Sequence, residues 1–139
     1  MIYKTDDEIR FLIERFENCS VTAKEWTHAA HLTAALWYCL SEPDLESAAA
    51  KMRDGIFKLN AAHGTPNTPT RGYHETLTIF WMRTVEGFLA KIKVKGSLAE
   101  MVNELVETCG DSGLPLKFYS RELLFSPEAR AKYIEPDLK

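Results

Sequence analysis

Apolar positions recur along most of the chain at the three-to-four-residue interval of a helix facing a core, with no alternating run of useful strand length. A first helix is predicted from Thr5: Thr5-Asp6-Asp7-Glu8 has capping-box spacing, and Ile9, Leu12, Ile13 and Phe16 follow on one face. It ends around Asn18 to Ser20. A second helix takes its start signal from Ser20 or Thr22 and runs through Glu25-Trp26-Thr27-His28-Ala29-Ala30-His31 until Pro43 forbids continuation. It is apolar nearly all round and is expected at the centre of the fold. Asp44 opens a third, whose stripe of Leu45, Ala48, Ala49, Met52, Ile56 and Leu59 ends with His63 before Gly64. After a loop from Thr65 to Gly72 with two prolines, a fourth helix is predicted from Tyr73 to about Ile92, with His74 in the middle of its inward stripe. Ser97 and Glu100 cap a fifth, which stops at Gly110, and Pro115, Pro127 and Pro136 punctuate the rest. The expected fold is all-α: an up-and-down bundle of four to five main helices with an irregular C-terminal segment, forming one domain over residues 1–139.

Composition narrows the class. With 45% hydrophobic and 27% charged residues, the chain has the makings of a globular core that needs no disulfides. Its net charge of −3, with lysines and arginines scattered, implies no nucleic-acid partner. No Gly-rich phosphate loop or nucleophile elbow is present. Cys19, Cys39 and Cys109 are odd in number and form no CxxC pair, so they read as reduced thiols. The charged start MIYKTDDEIRF lacks a signal peptide's apolar run, and no stretch reaches the roughly 18 apolar residues of a membrane span. The expectation is a cytoplasmic protein without membrane contact. Its oligomeric state is not legible.

The chemistry concentrates in four histidines. On one helix His28 and His31 lie about 60° apart and about 4.5 Å apart along the axis, so both address one neighbouring space, with Glu25 one turn earlier. His63 and His74 flank a single loop. If the second, third and fourth helices run up, down and up, all four histidines share one end of the bundle.

Three readings stay open. In the first, His28, His31 and His74, with His63 as a further donor, hold a divalent transition metal such as zinc, iron, nickel or manganese. Glu25 or Glu75 then orients a ligand or moves a proton in a small-molecule reaction. In the second, the pocket is metal-free, one histidine is a general acid or base, and Asn67, Arg71, Tyr73 and Trp81 bind a small-molecule ligand. In the third, the histidines only satisfy helix ends and neighbouring polar groups in a structural or protein-interaction module.

The stretches Trp26-Thr27-His28-Ala29-Ala30-His31-Leu32 and Tyr73-His74-Glu75-Thr76-Leu77-Thr78 resemble the WTHxxHL and YHETLT motifs of a group of small bacterial all-helical proteins of unknown function. The tail is similar too, through Tyr119-Ser120, Leu123 to Arg130 and Pro136-Asp137-Leu138. This resemblance carries a pattern from about Glu25 onward and no reaction. A looser resemblance is to DinB-like four-helix bundles, which bind a metal through three histidines from separate helices. The present chain departs from them by placing two histidines three residues apart on one helix.

Overall fold

The computed structural model describes residues 2–93 and 95–138, and within them the chain is all-helical, with one isolated bridge between Thr68 and Arg71. Five helices form the body: α1 (Asp6–Glu17), α2 (His28–Ser41), α3 (Leu45–His63), α4 (Glu75–Ile92) and α5 (Leu98–Cys109). A 3₁₀ turn (Leu114–Lys117) and two short helices, α6 (Arg121–Leu124) and α7 (Pro127–Ala131), make up the C-terminal segment.

The ends of these helices follow local chemistry. Thr5 and Glu8 form a reciprocal capping box on α1, and Ser97 and Glu100 form another on α5. The Asp44 carboxylate accepts the Ser47 N–H at 2.8 Å to start α3. Gly64 ends α3 at φ 71°, a left-handed conformation that glycine adopts without strain. Two predicted starts are corrected. α2 begins at His28, not at Ser20 or Thr22, because the Thr27 hydroxyl takes the Ala30 N–H at 3.2 Å while Thr22 to Trp26 form a separate turn. α4 begins at Glu75, and His74 is its N-cap in extended backbone (φ −133°, ψ 106°) rather than a member of its inward stripe.

α2, α3 and α4 pack on one another, with α5 against α2 and α1, and α7 against α4. The inward positions of α1 to α5 merge into one apolar cluster that includes Leu32, Leu36, Leu59, Val85, Val102 and Leu105. The C-terminal segment is tied down by polar bonds. Thr76 donates to the Lys132 carbonyl at 2.9 Å and accepts the Ile134 N–H, and the buried Tyr119 donates to the Ile134 carbonyl at 2.6 Å. Among the described residues no helix is long and apolar enough to cross a membrane.

Candidate functional site

The start of α2, the second half of α3 and the start of α4 enclose a cavity of about 540 Å³, closed on one side by the turn after α5. Such a volume is within the range of small-molecule sites. Trp26, Trp81, Met52, Ile56 and Leu77 give it apolar walls, and its polar groups come from His28, His31, His74, Asn60, Thr65, Tyr73, Thr78 and Ser112.

His31 lies against Trp26, with ring centroids 4.1 Å apart. Its Nδ1 is 2.9 Å from the Thr27 carbonyl, one turn back on its own helix. A carbonyl only accepts, so Nδ1 carries the proton and Nε2 keeps the lone pair. Burial pushes the ring's pKa down to about 4, against the Thr27 carbonyl, which favours the cation; His28 adds to the depression. His28 packs edge-on to Trp81 at 4.5 Å, and its Nε2 is shielded from solvent without a hydrogen-bond partner. Burial lowers its pKa as well, opposed by the Cys109 backbone and Asp111. Both imidazoles are neutral at pH 7.

His74 is engaged at both nitrogens. Nδ1 accepts the Leu77 N–H at 3.1 Å, completing the cap of α4, and Nε2 donates to the Leu124 carbonyl at 2.6 Å. The ring lines the cavity but can bind a metal only by giving up one of these bonds. His63 lies outside the cavity wall, donating from Nε2 to the Val21 carbonyl at 2.8 Å and pinning the α1–α2 connection to the end of α3. The structure therefore brings three of the four histidines to one space and leaves only two with uncommitted chemistry.

The acidic candidates are also spoken for. Glu25 precedes α2, where it accepts from Arg15 at 2.6 and 2.8 Å and from Thr22, and these partners hold its pKa down at about 2. Glu75 accepts two bonds from Arg53 and one from the Tyr73 hydroxyl at 2.5 Å; burial opposes these bonds, but its carboxyl still titrates below the usual range. Neither lines the cavity. Among the described residues no group of three or more His, Cys, Asp or Glu is placed to hold a metal ion. Of His28, His31, His74 and His63, with Glu25 and Glu75, only two imidazoles reach one space uncommitted, fewer than the three or four protein ligands that transition-metal sites use.

Of the expected ligand-binding residues, Tyr73 and Trp81 line the cavity. Asn67 braces the loop instead, its Oδ1 accepting from the Tyr73 N–H at 2.9 Å and the Asn60 amide at 3.1 Å. Arg71 is exposed in the same loop and is not part of the cavity wall. Asn60 and Ser112 also line the cavity, and neither is among the residues expected there. Asn60 continues the Met52, Ile56 spacing by one turn, a signal available in the chain, whereas nothing in the sequence places Ser112 beside α2 and α4. No protein-family model matches the chain, and neither a curated protein nor a solved structure shows significant similarity to it.

Proposed function

We propose that the cavity binds a small neutral molecule with a planar apolar body and one N–H or O–H donor, received by Nε2 of His31. The observation that carries this reading is the His31 tautomer: Nδ1 donates to the Thr27 carbonyl at 2.9 Å, which leaves Nε2 as an unpartnered acceptor. Thr78 donates to the His74 carbonyl at 2.9 Å, Asn60 to Asn67, His74 to Leu124 and Tyr73 to Glu75. These four donors are used within the protein, whereas Nε2 of His31 and the solvent-shielded Nε2 of His28 have no partner among the described residues. A ligand that supplies the missing donor satisfies Nε2 of His31, and the tryptophans cover the ligand's apolar faces.

An imidazole with a pKa near 4 is a weak base at neutral pH, so the chemistry on offer is recognition rather than proton transfer. Charged ligands would exchange hydration for walls of carbon, an unfavourable exchange without a countercharge. The test is a tryptophan-fluorescence titration with phenol and with anisole, which has a similar ring but no donor. Phenol is expected to quench saturably and to bind about tenfold more tightly than anisole, the worth of roughly one satisfied buried hydrogen bond. In His31→Phe the two probes should become equivalent. Equal affinities in the wild type, or an unchanged phenol preference in the variant, would contradict the reading.

A further inference from the structure

Tyr73 also borders a second cavity, of about 670 Å³, formed by α3, the loop before α4 and α7. Two guanidinium groups line it, Arg53 and Arg130, and they are in different situations. Arg53 donates from Nε to one Glu75 oxygen at 3.0 Å and from Nη2 to the other at 2.7 Å. The side edge of the guanidinium thus holds a carboxylate by two parallel bonds, and this pair is complete in itself.

Arg130 is half-buried on α7. Its Nη1 donates to the carbonyls of Gly72 at 2.9 Å and Tyr73 at 3.5 Å, neither of which carries charge. Its Nε is shielded from solvent and has no hydrogen-bond partner. Among the described residues no carboxylate lies within ion-pair distance of it. A partly desolvated cation bonded only to neutral carbonyls, with no carboxylate beside it, is an arrangement that a bound anion completes.

We propose that Arg130 anchors a carboxylate-binding site in this cavity. The ligand carboxylate takes the Nη2 side of the Arg130 fork, which makes no hydrogen bond among the described residues, because the shielded Nε is out of a ligand's reach. The ligand's apolar body lies against Phe57, Pro69 and Pro127, which line the same space. Phe57 is 40% exposed, and its ring is 4.7 Å from that of Tyr73, so an aromatic surface is already presented there. The charge of Glu75 is matched by Arg53, but Glu128 also lines the cavity and disfavours a dianion. A small aromatic monocarboxylate fits this balance better than phosphate.

The probes are benzoate, its neutral isostere benzamide, and inorganic phosphate, each titrated into the full chain while backbone amide shifts are followed by NMR. Benzoate is expected to shift the amides of Phe57, Thr68 and Arg130 saturably, with benzamide and phosphate at least about tenfold weaker. Arg130→Lys keeps the charge and a donor for the Gly72 carbonyl but lacks the planar fork, so benzoate should weaken by about tenfold or more while the spectrum stays dispersed. Absence of saturable benzoate shifts, benzamide or phosphate binding as tightly as benzoate, or undiminished affinity in Arg130→Lys would overturn the proposal. The comparison of the three probes on the wild-type protein decides the matter even if the variant fails to fold.

Discussion

His74 shows how a polar residue beside a core can be structural and still look like a ligand. It replaces the usual Ser, Thr, Asp or Asn as an N-cap, and its other nitrogen reaches the Leu124 carbonyl fifty residues away. Only a neutral ring can accept from Leu77 and donate to Leu124 at once. His74→Ala should therefore cost about 1–3 kcal/mol, as expected for a lost cap together with an unsatisfied buried carbonyl, and His74→Asn should recover part of it through the cap alone. Denaturant unfolding measures both. The pH dependence has a definite sign: burial lowers the folded-state pKa of His74, opposed by the Leu124 carbonyl and the residue's own backbone and reinforced by Arg130. The ring's contribution is complete above its ordinary value of 6.5 and is lost as pH falls from there toward the folded-state value. His74→Asn should show a shallower decline over that window. Nothing in the sequence marks His74 as a cap, because periodicity counts residues and does not report where the first helical hydrogen bond closes.

At the scale of elements, the starts and stops with strong chemical signals were legible, as at Thr5, Asp44, Gly64 and Ser97. The start of α2 was not. Ser20 and Thr22 come first in the chain, but Thr22 spends its side chain on a turn with Glu25, leaving Thr27 as the cap. Moving the start five residues beyond Thr22 removes Glu25 from the helix and with it the supposed Glu-His-His face. Packing between elements also overrides propensity. Gly55 lies inside α3, where glycine is ordinarily unfavourable, yet a Cβ there would collide with the Phe16 ring of α1. Gly87, inside α4, faces open space. Gly55→Ala is expected to destabilise by about 1–3 kcal/mol through overpacking, whereas Gly87→Ala should stabilise by roughly 0.5–1 kcal/mol from helix propensity alone. Thermal unfolding of the two variants should move in opposite directions.

At the scale of the whole molecule, the start of α2, the second half of α3 and the start of α4 enclose one space, while His63 at the end of α3 lies outside its wall. What that space contains depends on hydrogen bonds across long sequence separations, from His63 to Val21, His74 to Leu124 and Arg53 to Glu75. Each of these takes a candidate ligand out of play, and none has a sequence signature. The four-histidine pattern thus places two uncommitted, neutral imidazoles in a largely apolar cavity. The central claim concerns one atom, Nε2 of His31, and a ¹⁵N NMR spectrum of the imidazole nitrogens with and without saturating phenol tests it directly. At neutral pH His31 should show a protonated Nδ1 and a bare Nε2 whose resonance moves toward that of a hydrogen-bonded nitrogen as phenol is added. An imidazolium or Nε2-protonated ring, or an Nε2 resonance unmoved by phenol, would contradict the account.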